Sequence, residues 1–278
     1  MTVKAIALDI DGTLTDDRKA VTPKTKAALL RAQEEGIRLI LASGRPAQGL
    51  RRIADELGLP AHNGLLVSFN GARVTDAATG ETLFDRPMDP GVACELIDHL
   101  RRFDTIVWAN EDDALLIEDA YRCDILHRGE KVNIVKYERD ACDLVIREVR
   151  DLKEAFAAPT DKVLAAGTDT YLKEHWREMY APFEGRLSGM FTADFYFEFM
   201  APGIDKANAL AGSLPGLGIE APDVVAFGDG QNDARMLAWA GCGVAMGNAA
   251  GEAKAAADMV TLDNNSDGIA AALEKILG

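Results

Sequence analysis

Short, mostly apolar runs separated by helical segments dominate the first 71 residues. Residues 3–8, 37–42 and 65–69 are such runs. They are shorter than typical buried helices and lack the polar alternation of half-exposed strands, so each predicts a strand covered on both faces. Thr22 followed by Pro23 has the form of a helix N-cap with proline in the first turn, and Gly36 closes that helix. Residues 51–57 predict a second helix, stopped by Gly58. The same rhythm returns near the C-terminus. Residues 224–227, 244–246 and 259–262 predict strands, and 232–239, 249–257 and 267–277 predict helices. Apolar strands alternating with helices predict an α/β fold with a Rossmann-like parallel sheet as its core.

The middle of the chain is patterned differently. From about residue 82 to 199 the segments are more charged and less regular. Residues 91–103 and 173–180 have helical spacing, whereas 105–108, 114–117, 162–166 and 195–200 predict strands. The parallel-sheet pattern stops near residue 72 and resumes after 203. This predicts an α+β cap domain, residues 84–199, inserted into a core domain made of residues 1–83 and 200–278.

Charge narrows the function classes. The 278 residues carry 30 Lys plus Arg against 45 Asp plus Glu, a net charge of −15. That argues against a protein that coats nucleic acid or an anionic membrane. It leaves room for a small phosphorylated substrate, because a bound metal ion supplies local positive charge. No run approaches the roughly 18 apolar residues of a membrane helix, and residues 1–9, MTVKAIALD, carry no signal-peptide cleavage site. Cys94, Cys123, Cys142 and Cys242 are scattered without a CxxC pair, which predicts buried reduced thiols. The expectation is a cytoplasmic protein.

The chemistry-bearing residues gather at predicted strand ends, where open α/β sheets bind ligands. The first strand ends in Asp9-Ile10-Asp11-Gly12-Thr13. Two carboxylates that close repel unless a cation or a proton is shared between them, and clustered oxygen ligands suit Mg²⁺. A polar turn is the plain alternative. The second strand ends in Ser43-Gly44-Arg45-Pro46, an anion site or a simple N-cap. The third ends in Asn70-Gly71, which reads equally as a hairpin turn. Residues 224–227 lead into Gly228-Asp229-Gly230-Gln231-Asn232-Asp233. Lys206 opens a helical stretch; its position alone suits a solvated surface lysine, but it could also neutralise a phosphate and a nearby carboxylate. Taken together these residues suit phosphoryl transfer, with one carboxylate attacking phosphorus and another serving as acid and base. The spacing does not say which aspartate attacks.

DIDGT at 9–13, Ser43 within ASGRP, Lys206 within PGIDKANAL, GDGQND at 228–233 and MGNA at 246–249 resemble, in order and spacing, the motifs of the haloacid dehalogenase superfamily, in its Cof-type capped branch. The likeness covers both ends of the chain; the middle matches that branch's cap in length and position. The resemblance implies a Mg²⁺-dependent phosphatase. Asp9 would be the nucleophile. Asp11 would be the general acid/base, its backbone carbonyl also holding the metal. Asp9 and Asp229 would be carboxylate ligands, with Asp233 supporting the metal site. Ser43, Lys206 and Asn232 would bind the phosphoryl group, Gly12, Thr13 and Gly44 would shape its cradle, and Asn70 would lie at the rim. The expected substrate is a small phosphorylated metabolite, most readily a sugar phosphate. The rivals are a phosphomutase, a phosphatase dedicated to one sugar phosphate, a non-catalytic sugar-phosphate sensor and a nucleic-acid phosphatase; the last is disfavoured by the missing basic stripe. Arg122, His127, Arg128, Asn133 and Arg186 are candidate cap contacts, each more simply a surface residue.

Overall fold

The computed structural model describes residues 2–111, 113–127, 129–157 and 160–278. Its contacts divide it into two compact units. One is Met1–Gly44, Leu50–Asp85 and Asp205–Gly278; the other is Arg45–Gly49 with Arg86–Ile204.

In the first unit the chain begins with β1 (Ala5–Leu8), α1 (Pro23–Glu34), β2 (Arg38–Ala42), α2 (Gln48–Glu56, whose first two residues fall in the second unit), β3 (Leu65–Ser68), β4 (Arg73–Asp76) and β5 (Thr82–Asp85). Thr22 caps α1 as its sequence implied, accepting from the Thr25 amide. The second unit holds α3 (Pro90–Leu100), β6 (Ile106–Glu111), β7 (Ala114–Ile117), β8 (Asp124–His127), β9 (Glu130–Asn133), α4 (Ile134–Cys142), β10 (Val145–Glu148), β11 (Lys162–Ala166), α5 (Asp169–Tyr180), β12 (Ser188–Ala193) and β13 (Tyr196–Met200). The chain returns to the first unit for α6 (Lys206–Ser213), β14 (Val224–Gly228), α7 (Ala234–Trp239), β15 (Cys242–Ala245), α8 (Gly251–Ala256), β16 (Met259–Val260) and α9 (Gly268–Leu277).

The first unit's sheet has the order β16-β15-β14-β1-β2-β3-β4-β5. Neighbours from β16 to β3 pair in parallel, with Ala5 opposite both Val224 and Arg38. All four residues of β1 are fully buried, the mark of a strand covered on both faces. Because β1, β2, β3 and β14 run the same way, their following loops emerge at one edge. The strands β4 and β5 extend this sheet antiparallel, beyond where the parallel pattern stops.

The second unit is built on a sheet of order β10-β7-β6-β11-β13-β12, mostly antiparallel, with β8 and β9 forming a separate hairpin. Trp108, Leu115, Leu164 and Tyr196 on one face pack with Ile134, Val135 and Cys142 of α4, giving this unit a core of its own. All four cysteines are free thiols; Cys123 and Cys142 are buried, but Cys94 and Cys242 are only half-buried. Among the described residues no helix is long and apolar enough to cross a membrane.

Candidate active site

The carboxyl edge of the first unit's sheet gathers a dense charged cluster. Asp9 follows β1 directly and is 6% exposed. The Lys206 side chain is fully buried rather than solvated, and its Nζ lies 2.6 Å from Asp9 Oδ1 and 2.6 Å from Asp233 Oδ1. The helix it opens is capped by Asp205, whose carboxylate accepts from the Asn208 amide, so α6 delivers the lysine from a fixed N-terminus. The Asp233 Oδ2 accepts from the amides of Asp229 and Gly230, which locks the 229–233 loop. The Thr13 hydroxyl donates to Asp229 Oδ1 at 2.7 Å. Gly12 has φ +85°, and a Cβ there would fall 2.5 Å from Asp229 Oδ2, so glycine is required both by the turn and by the close carboxylate.

Electrostatics in the cluster are unbalanced. One oxygen from each of Asp9, Asp229 and Asp233 lies within 4.8 Å of the others. Lys206 is the cation that pairs with Asp9 and Asp233, so these four side chains carry two negative charges in excess when ionised. Burial, then the like charge of Asp233, pushes the Asp9 carboxyl well above the usual aspartate value despite Lys206. Burial also raises Asp229, against its hydrogen bond from Thr13. For Lys206 burial alone would pull the ammonium down, but Asp233 and Asp9 outweigh it and hold it above the usual lysine value. A buried cluster of hard oxygen donors with a two-charge excess fits a divalent cation such as Mg²⁺. Asp233 already uses both oxygens as acceptors, which suits it better to positioning the other ligands than to direct ligation.

The expected phosphate cradle lies on the same edge. Ser43 is buried immediately after β2. Asn70 is also buried, at 2% exposure; it holds a left-handed backbone (φ 54°) and accepts from Asn232 Nδ2 at 3.1 Å. Its side chain sits where a Cβ on Gly44 would meet Asn70 Nδ2 at 3.0 Å. The Asn70-Gly71 turn therefore serves both readings: it joins antiparallel strands β3 and β4 and presents Asn70 inward.

Two residues near this site were not singled out from sequence. Asn248 Nδ2 donates to the Gly12 carbonyl at 2.8 Å; MGNA marked its segment, but nothing in the spacing marked its partner. Lys19 Nζ lies 2.8 Å from Asp11 Oδ1, a contact between a loop lysine and a strand-end aspartate that has no sequence signature.

The candidate contacts in the second unit have local partners. Arg122 pairs with Asp119 at 3.5 Å and is 89% exposed. His127 stands edge-on to Phe195, Asn133 caps α4, and Arg186 pairs with Glu95 at 2.8 Å. Arg128 lies outside the described residues. Glu198, central in β13, is buried and ion-paired with buried Lys162 at 2.8 Å.

Comparison with known proteins places this geometry in a wider group. The family profile described as haloacid dehalogenase-like hydrolase matches residues 6–273. YxeH of Bacillus subtilis, provisionally named a phosphatase, is 30% identical over 99% of this chain and 98% of its own length. The 5-amino-6-(5-phospho-D-ribitylamino)uracil phosphatase YcsE of the same organism is 27% identical over 98% of this chain and 94% of its own. A crystal structure of a haloacid dehalogenase-like hydrolase from Bacteroides thetaiotaomicron superposes with a TM-score of 0.90, at 32% identity, covering 99% of this chain and 100% of the other.

Proposed function

The chain belongs to the haloacid dehalogenase-like hydrolases, and from that premise we propose that it is a Mg²⁺-dependent phosphatase of small phosphorylated metabolites, working through an aspartyl-phosphate. The observation that carries this reading is the buried Asp9–Lys206–Asp233 cluster with Asp229 beside it, at the sheet edge where the motif loops converge.

In the proposed cycle an Asp9 carboxylate oxygen attacks phosphorus as the ester P–O bond breaks, and Asp11 gives its proton to the departing oxygen. Water then attacks the phosphorus of the aspartyl-phosphate. Asp11 takes the water's proton, the bond between phosphorus and Asp9 breaks, and phosphate leaves with the Asp9 carboxylate restored. Lys206 has spent two of its three donors on carboxylates, leaving one for a phosphoryl oxygen. Ser43, Asn232, Gly12, Thr13 and Gly44 form the cradle. Asp9, Asp229 and the Asp11 carbonyl would hold the Mg²⁺, supported by Asp233; when bound it would neutralise the phosphoryl charge.

We read the second unit as the substrate lid. The substrate class we propose is a sugar or polyol phosphate, supported by the likeness to YcsE, whose name specifies a phosphoribityl compound. The test is phosphate release from 4-nitrophenyl phosphate and a panel of sugar and polyol phosphates, with and without Mg²⁺, for wild type and Asp9→Asn. Release that needs both Mg²⁺ and Asp9 is the expected result. Binding of the panel without release by the wild type would favour a sensor, and exchange of label between substrate positions would favour a mutase.

A further inference from the structure

We propose that Lys19 is a positioning residue that holds the Asp11 carboxylate in register for proton transfer; this rests on the reading of Asp11 as the general acid/base. Three observations carry it, all in the segment that follows β1.

The first is the contact itself. Lys19 Nζ sits 2.8 Å from Asp11 Oδ1, with Lys19 61% and Asp11 37% exposed. A pair this open to water contributes little to stability, so stability is a poor reason for its geometry. Asp11 lies in the turn after β1 rather than in the buried lysine-centred cluster, and proton transfer needs its carboxyl group held in one orientation.

The second is the backbone under Lys19. Its φ is +61°, in the left-handed region that disfavours a residue with a Cβ. Asp16 and Ala20 close a tight reversal around it: the Asp16 amide donates to the Ala20 carbonyl, and the Lys19 amide to the Asp16 carbonyl, both at 2.9 Å. Three-residue reversals of this kind end on a left-handed position that glycine usually fills. Here the position carries the cation that reaches Asp11. An outlier kept at a site beside reacting groups is a reason to look for function.

The third is how firmly the reversal is fixed. Asp16 Oδ1 accepts from the amides of Arg18 and Ala20, and its Oδ2 meets the Arg18 guanidinium at 3.1 and 3.2 Å. The loop is tied to the far end of the same unit: Asn265 accepts from the Asp17 amide, and Asn264 Nδ2 donates to the Thr15 carbonyl. Lys19 is therefore aimed from a clamped platform, not from a mobile loop.

Positioning a general acid has a signature that mere structural support lacks. Acid assistance matters most for a basic leaving group and least for one that departs readily as an anion. The experiment measures kcat and KM for phenyl phosphate and 4-nitrophenyl phosphate with wild type, Lys19→Met, Lys19→Arg, Lys19→Gly and Asp11→Asn. For Lys19→Met we expect kcat on phenyl phosphate to fall about tenfold, a part of the 10²–10⁴ that general acid–base catalysis typically supplies. On 4-nitrophenyl phosphate the fall should stay within about twofold, with KM unchanged for both substrates. Lys19→Arg should recover most of the loss. Lys19→Gly should melt no lower than wild type, because it relaxes the left-handed position, yet should show the same selective loss on phenyl phosphate. Equal losses on both phosphates, or a rise in KM alone, would overturn the proposal while Asp11→Asn still showed the discrimination. If Asp11→Asn lost both activities equally, the general-acid reading itself would fail. A crystal structure of Lys19→Met adds a readout independent of turnover: alternative Asp11 orientations are expected, and a single unchanged one would refute positioning.

Discussion

Lys206 sits between two carboxylates with no exposure at all. Its removal would leave Asp9 and Asp233 buried together without their shared cation. Breaking one partner of a buried pair costs about 3–5 kcal/mol, so Lys206→Met should lower the unfolding free energy by about 3 kcal/mol in urea titrations at neutral pH. The loss should depend on pH in a defined direction. Asp9 is raised above its unfolded value even with the lysine present, so its protonated form favours the folded state. That contribution is present below the unfolded value and lost as pH rises through the folded one. Removing Lys206 raises Asp9 further, and the deficit of the variant should therefore grow with rising pH and shrink toward acid. A deficit independent of pH would refute the coupling. At Asp229 the lever is smaller: Thr13→Val removes the 2.7 Å hydrogen bond that orients it. Loss of such an outer partner typically weakens metal affinity or activity about 10–100-fold, and a Mg²⁺ titration of phosphate release should show it. These residues were unequally legible. Asp9, Thr13, Asp229 and Asp233 stand in short motifs after apolar runs, and the fold brings them together. The commitment of Lys206 was not readable locally, because its burial depends on strands about 200 residues away in the chain. Nor was the inward aim of Asn70, whose dipeptide with Gly71 also specifies a hairpin turn.

At the scale of elements, what was legible is what repeats a strong pattern. The strands β1, β2, β3 and β14 are predominantly apolar runs, and β7 and β11 have the bounds their sequences predict. The strands β4 and β5 at one end of the sheet, with sequences RVTD and TLFD, are four residues each and carry charged or polar residues among the apolar ones, so neither makes a strong apolar run. The hairpin β8–β9 and helix α4 were missed for a related reason: their apolar positions are few and interleaved with charge. Elements also explain how the site is held. Gly71, at φ +105°, lies against the start of α6, and a Cβ there would fall 2.3 Å from the Asp205 carbonyl oxygen. Backbone, unlike a flexible side-chain end, has little room to yield. Gly71→Ala should therefore push the N-terminus of α6, destabilise the protein by about 1–3 kcal/mol as overpacking does, and displace Lys206. Denaturation combined with kcat would check both effects; a variant with full stability and full activity would show that α6 is not held in this way.

Over the whole molecule, chemistry and selectivity are separable questions. The cluster of Asp9, Lys206, Asp229 and Asp233 belongs entirely to the first unit. The second unit has its own hydrophobic core and, in Lys162 and Glu198, its own buried ion pair. A net charge of −15 means that an anionic substrate meets an unfavourable average field, so recognition must come from local groups and not from long-range attraction. If the second unit is the lid, replacing residues 86–204 with the corresponding segment of a relative such as YcsE should move preference among metabolite phosphates. We expect changes of about tenfold or more in kcat/KM, equivalent to about 1.4 kcal/mol of transition-state binding. Hydrolysis of 4-nitrophenyl phosphate and its Mg²⁺ requirement should change little, because the groups assigned to that chemistry lie outside the exchanged segment. A chimera that loses aryl phosphate turnover while remaining folded would place part of the catalytic apparatus in the second unit. One that keeps the parental substrate ranking would show that selectivity resides in the first.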